Sequence, residues 1–341
     1  MRVLTFGELL LRLAAPGYTK LLQKDILEAT FCGGEANVAV SLANFGIDTL
    51  FLTKLPENDI SKAAVRTLKY FGVDTSRIIY GDGRMGLYYL EKGASQRASK
   101  VIYDRAYSAL AIANREDFDW DAIFDGIDWF HWTGINPALS DNVAEICMDA
   151  CVKAKAKGII ISCDLNYRAS LWNSNKAQSV MKKLLSYVDV CVANEEDAEK
   201  VLGIKAPNTD VNKADLNCKG YEDVAREICT KYNCKVVAFT FRESYSASRN
   251  GWSAMLFDSE EDRGYFSKKY DIQIIDRVGG GDSFTAALIY GLLVKKSNQD
   301  MVEFAAAASC LKQTMEGDFN RATLDDVAKL LEDGGCGRVM R

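Results

Sequence analysis

The stretch IIDRVGGGDSFTAALIYGLL (residues 274–293) sets three glycines, Gly279, Gly280 and Gly281, directly before the carboxylate of Asp282. After it, Phe284, Ala287, Leu288, Gly291 and Leu292 recur at helical spacing, which predicts a helix from about Asp282. Before it, Ile272 to Ile275 reads as a short strand. The glycines therefore fall in a strand-to-helix turn, where unpaired N–H groups point outward and the helix dipole favours an anion. Two readings compete here: an anion site, or a glycine turn closed by an Asp helix cap. The familiar phosphate loops do not fit. Phe284 stands where a dinucleotide GxGxxG needs its third glycine, and no Lys-Ser/Thr pair follows as in a Walker loop.

Composition narrows the class. The chain has 341 residues, 48% of them hydrophobic and 26% charged, with four prolines, as in ordinary globular proteins. Net charge is −5 and the basic residues are scattered, which argues against nucleic acid as the partner. No apolar run reaches membrane-spanning length, and the start, MRVLTFGELLLRL, reads as a strand rather than a signal peptide. Ten cysteines without a CxxC pair, and His131 as the single histidine, assemble no zinc set. Reduced cysteines in the cytoplasm are expected.

Apolar strand-like runs alternate with helical stretches. Strands are expected at Val3–Phe6, Thr49–Thr53, Ile127–Trp132, Ile159–Cys163, Val188–Ala193 and Val236–Phe241. Helices are expected near 35–45, 59–71, 141–157, 282–296, 300–315 and 323–333. Continuous Val/Ile runs between helices predict an α/β fold with a mostly parallel sheet covered on both faces. Ligands of such sheets bind outside the carboxyl ends of the strands. Residues 12–32 and 84–106 break the rhythm with short alternating segments. They predict a small antiparallel sheet inserted into a larger domain of residues 1–11, 33–83 and 107–341. Its open face should pack on substrate or on another subunit. The polar segment 204–220 reads as an excursion loop.

Strand, Gly-Gly-Gly-Asp, then helix near the C-terminus resembles the signature of the ribokinase-like (PfkB) carbohydrate kinases. CGGEANVAVSLANFG (residues 32–46) is similar to the family's N-terminal signature, with Gly33 and Gly34 followed by Asn37 one turn into a helix. The resemblance implies a ribokinase-like fold whose small sheet is the substrate lid. It also implies that Gly279, Gly280 and Gly281 form an anion hole and that Asp282 is the catalytic base. The roles suit phosphoryl transfer, which needs positioning and charge stabilisation more than covalent chemistry.

Within the family, SCDLNYRASLW (residues 162–172) is similar to the 2-keto-3-deoxygluconate kinases. That likeness implies that Arg168 binds a substrate carboxylate and that Asp164 and Asn166 lie near phosphates and metal. GLYYLE (86–91) and VIYDRAYSAL (101–110) place Tyr88, Tyr103 and Arg105 at substrate-contacting positions. Strand alternation lets only one of Tyr88 and Tyr89 face the sugar. A planar guanidinium can grip a carboxylate through two bonds, so two arginines would discriminate against neutral sugars. The competing reading has Arg168 on phosphate alone and Arg105 paired with Asp104 or another lid carboxylate. Asn194, in ANEEDAEKVLG (193–203), resembles the family's NxxE region, but Asp197 stands at the fourth place. A solvated helix face competes there with a metal role for Asp197 or Glu196. Thr240, Arg242 and Glu243 in TFRES (240–244), and Ser309 in ASCLKQTMEGDFN (308–320), fall where the family binds nucleotide. Asp276 and Arg277 replace the more usual Asp-Thr before the glycines. His131, between Phe130 and Trp132, has a structural reading only.

The expected function is ATP-dependent phosphorylation of the 6-hydroxyl of 2-dehydro-3-deoxy-D-gluconate. Mg2+ would arrive with the nucleotide, a monovalent cation is allowed for, and the chain would form a homodimer or larger homo-oligomer. A fructokinase of the same fold is the nearest rival. A sugar sensor without catalysis is the rival from another class, and the intact Gly-Gly-Gly-Asp argues against it.

Overall fold

The computed structural model describes residues 1–194, 196–206 and 218–334. The main sheet runs in the order Arg263–Phe266, Arg249–Asp258, Val236–Ser246, Val190–Asn194, Ile160–Asp164, Trp129–Thr133, Arg2–Phe6, Asp48–Leu52. From Val236–Ser246 to Asp48–Leu52 every pairing is parallel. Both faces of these strands are buried because successive side chains enter different cores. Val190 and Val192 pack on one side with Val3 and Phe284, whereas Cys191 and Ala193 pack on the other with Phe130 and Ile161. Helices Gly34–Asn44, Gly280–Leu293 and Asn298–Gln313 cover the first side. Asp141–Ala156, Ser174–Leu184 and Cys218–Tyr232 cover the second.

The edge beyond Val236–Ser246 differs from the alternation read in the sequence. Arg249–Asp258 returns antiparallel to it and pairs antiparallel with both Arg263–Phe266 and Tyr270–Gln273. The strand expected at Ile272 to Ile275 is this last one, two residues earlier. The helix expected from Asp282 begins at Gly280, so two of the three glycines lie in its first turn.

The small sheet is present, in the order Glu28–Cys32, Leu10–Ala14, Gly86–Glu91, Lys100–Asp104. Its central pair, Leu10–Ala14 with Gly86–Glu91, is parallel, so the sheet is mixed rather than antiparallel. It begins at Leu10, two residues ahead of the expected boundary. Cys32, Cys147, Cys151, Cys163, Cys191, Cys229, Cys234 and Cys310 are free and buried. His131 is fully buried, its Nδ1 2.9 Å from Ser162 Oγ, and burial pulls its pKa down to about 3. Among the described residues no helix is long and apolar enough to cross a membrane. Of the expected excursion loop at 204–220, residues 207–217 lie outside the described residues.

Candidate active site

Gly279 takes the left-handed conformation, with φ 83°, and a Cβ there would stand 2.2 Å from the Asp318 carbonyl oxygen. Only glycine fits. Beyond its own helical turn, no protein atom lies within 4 Å of where a Cβ on Gly281 would be, so that bare face opens on the cleft. The Gly280–Leu293 helix has no side-chain cap, which removes the cap reading of Asp282. Asp282 instead accepts a 2.6 Å hydrogen bond from Asn37 Nδ2 at Oδ2. Its carboxyl is pushed up to about 6, first by burial and then by the negative charge of Asp318, against the pull of Asn37 and Arg168.

The second glycine pair brings Asn37 there. A Cβ on Gly33 would stand 2.2 Å from the Glu8 carbonyl oxygen, and one on Gly34 would stand 3.6 Å from Asp282 Oδ1. The N-terminus of Gly34–Asn44 therefore abuts that of Gly280–Leu293, and Asn37 reaches across. Next to it Glu35 is buried and accepts from the N–H and hydroxyl of Thr133, at 3.1 and 2.7 Å. Burial pushes its carboxyl up to about 7. Gly7 leaves the room, since a Cβ there would overlap the Glu35 carboxylate at 1.9 Å. Sequence reading passed over Glu35, although an acid in a helix's first turn beside two glycines was a usable signal.

The carboxyl ends of three adjacent strands supply the rest. Asp164, Asn166, Arg168, Asn194, Asp197, Thr240 and Arg242 line one cleft of about 360 Å³ together with Gly279–Asp282. Asn166 has φ 40°, which its short polar side chain tolerates, and donates its N–H to Asp164 Oδ1. Asp164 is raised well above the usual carboxylate range by burial and by the charges of Asp197 and Asp282. Asp197 is buried rather than on a solvated face. It accepts the N–H groups of Tyr167 and Asn194 at 3.0 and 2.9 Å, while Glu196 is exposed. Among the described residues no group of three or more His, Cys, Asp or Glu side chains is placed to hold a metal ion.

Three guanidiniums face this cleft: Arg168, Arg242 and Arg277. Arg168 donates to the Tyr167 carbonyl and Arg277 to that of Ala247. Among the described residues none of the three forms an ion pair. Arg242 and burial together lower the pKa of Arg277, burial the more, and its Nε is buried without a partner. Asn250 also lines the cleft, buried, with neither side-chain polar atom bonded. Unpaired cations and unbonded donors along one wall suit a ligand rich in negative oxygen.

The small sheet walls the mouth. Tyr88 and Tyr103 both line the cleft, with ring centroids 5.8 Å apart, so Tyr88 rather than Tyr89 faces inward. The Tyr88 hydroxyl is taken by Asp318, at 2.8 and 2.9 Å. Opposite Tyr88 in the sheet, Arg12 is buried and bonds both Asp276 and Asp318 at 2.5 Å. Arg12 carried no motif, and Asp318, although inside the quoted stretch 308–320, was given no role. Three expected contacts lie elsewhere. Arg105 is buried against Glu8, which is not a lid carboxylate, donating from Nε at 2.7 Å and from Nη2. Ser309 is buried behind the turn and donates to the Gly280 carbonyl at 2.7 Å. Glu243 lies off the cleft wall and pairs with Lys269 at 2.6 Å.

The family description "pfkB family carbohydrate kinase" matches residues 2–240 and 246–322. The chain belongs to this family. Among pfkB carbohydrate kinases, the crystal structure of 2-dehydro-3-deoxygluconokinase from Thermotoga maritima is 50% identical, with a TM-score of 0.93 over 97% of this chain and 98% of that one. The 2-dehydro-3-deoxygalactonokinase of Haloferax volcanii is 29% identical over 337 residues, covering 98% of each chain. The 2-dehydro-3-deoxygluconokinase of Bacillus subtilis is 26% identical over 319 residues, 93% of this chain and 90% of the relative. The chain is thus a sugar kinase with a ribokinase-like fold, most like the 2-dehydro-3-deoxy sugar-acid kinases.

Proposed function

We propose that the protein transfers the terminal phosphate of ATP to the 6-hydroxyl of 2-dehydro-3-deoxy-D-gluconate, giving 2-dehydro-3-deoxy-6-phospho-D-gluconate. The names of the three relatives support this substrate class. The single observation that carries it is Arg168, a guanidinium in the cleft with no carboxylate of its own. A sugar acid brings that carboxylate and a neutral hexose does not.

In this reading Asp282 takes the proton of the attacking hydroxyl, and Asn37 holds its second oxygen in place. The N–H groups of Gly279–Asp282 receive the transferring phosphate, and Gly281 lets it approach. Arg242 and Arg277 meet the nucleotide's phosphates, and Asp164, Asn194 and Thr240 line the same end. Asp164 and Asn194 would face a Mg2+ brought by the nucleotide, which would supply charge neutralisation at its phosphates. Gly34, Tyr88, Tyr103, Asn166 and Arg168 surround the sugar. Arg105, held by Glu8, shapes that wall and offers the donor that Glu8 leaves free. The small sheet covers the substrate and meets a second subunit through its outer face.

An ATP-consumption screen across 2-dehydro-3-deoxy sugar acids of both gluconate and galactonate configuration, with fructose and ribose beside them, tests the reading. Turnover is expected on the acids alone. Equal turnover of fructose would overturn the sugar-acid assignment, and no turnover on any sugar would favour the sensor.

A further inference from the structure

Lys312, inside the stretch 308–320 but given no role of its own there, is completely buried. Its Nζ donates to two main-chain carbonyls, Asp276 at 3.2 Å and Met315 at 3.5 Å. Among the described residues it forms no ion pair. The nearby carboxylates are turned to other donors: Asp276 to Arg12 and the N–H groups of Val278 and Gly317, Asp318 to Arg12 and Tyr88. Burial lowers the Lys312 pKa, and the charges of Asp276 and Asp318 oppose that. A buried ammonium without a direct carboxylate is costly and needs a purpose.

Its position supplies one. A Cβ on Gly279 would lie 3.3 Å from Lys312 Cε, so the lysine stem runs directly under the glycine turn. The Asp276 carbonyl that it binds opens that turn, and the Met315 carbonyl starts the segment leading to Gly317 and Asp318. A compact monovalent charge held by backbone carbonyl oxygens is also how proteins hold a bare alkali ion. We propose that Lys312 is a tethered substitute for such an ion. It pins the carbonyl side of the turn, so that the N–H side faces the cleft, and it places a positive charge beneath the phosphate. Free potassium or sodium is then unnecessary for turnover. The proposal rests on the glycine turn being the phosphate site, and it makes Lys312 a positioning residue rather than a catalytic one.

The test uses the full chain in tetramethylammonium buffer, with potassium or ammonium chloride added at matched ionic strength. Wild-type kcat should change by less than about twofold, because screening is held constant and the lysine already fills the ion's place. Lys312→Ala should lose about tenfold or more, as expected for a lost charge-assisted bond, and ammonium or potassium should restore a large part. Lys312→Met, which fills the space without charge, should lose as much and not respond. The thermal unfolding midpoint of Lys312→Ala should likewise rise with ammonium but not with tetramethylammonium. That readout needs no sugar, so it separates failure of this proposal from failure of the substrate assignment. A wild type that needs potassium for turnover overturns the proposal, even if the variants do not fold. So does a Lys312→Ala protein that keeps full activity, or one that responds equally to every cation.

Discussion

At the smallest scale the proposed base, Asp282, makes a prediction of its own through its acidity. As a base it must be ionised, and its carboxyl is raised from 3.8 to about 6. The value of kcat/KM should therefore be flat above about pH 6 and fall by about tenfold per unit below it. A fall beginning only near pH 4 would show an unperturbed carboxylate. Asp282→Asn keeps the shape but cannot take the proton. It should lower kcat by at least about 10²-fold while ATP binding, read by calorimetry, stays close to wild type. The two arginines divide differently from their equal standing in the sequence. Arg168→Ala should weaken kcat/KM on the sugar acid by about tenfold or more, with the urea midpoint little changed because no ion pair is lost. Arg105→Ala strands buried Glu8, so its main effect should be on stability, about 3 kcal/mol in the same urea titration. Asp282, Asn37 and Arg168 were legible because each sits in a run of unusual local composition. Arg12, Lys312 and Asp318 were not, because they are ordinary charged residues that only the tertiary fold brings together.

Among the elements, the glycine turn is the most constrained. Gly279→Ala would place a methyl 2.2 Å from a carbonyl oxygen in a left-handed conformation, which alone costs about 1–2 kcal/mol. The turn should shift and turnover should fall further than stability does, which paired kinetic and unfolding measurements can show. The parallel strands were readable because both faces are buried and their sequences are nearly continuous apolar runs, as in Val190–Asn194. The second half of Val236–Ser246 was hidden by its own solvent exposure: it turns polar after Phe241 and carries no strand signal. The small sheet was visible in its alternation. Its parallel centre was not, since Leu10–Ala14 and Gly86–Glu91 have the same pattern in either direction, and pairing is set by the chain between them.

At the scale of the whole molecule, an apolar face of the small sheet lies open among the described residues. Leu13, Tyr89 and Ile102 align across three strands of the small sheet, on the face opposite Tyr88, and Ile102 is 53% exposed. If this face meets its copy in a second subunit, light scattering should give at least a dimer, and Ile102→Glu should shift it toward monomer. A wild-type monomer at micromolar concentration would reject the contact. The inner face of the same sheet is tied to the main domain through Arg12, which holds Asp276 at the glycine turn and Asp318 beside it. That tie restricts how the protein could be re-engineered. A chimaera that borrowed the small sheet of another sugar kinase, to change which sugar is accepted, would leave two buried carboxylates facing each other without their cation. Positions 12, 276 and 318 form a single cassette, and a graft that moves the first without the other two leaves the glycine turn without its anchor.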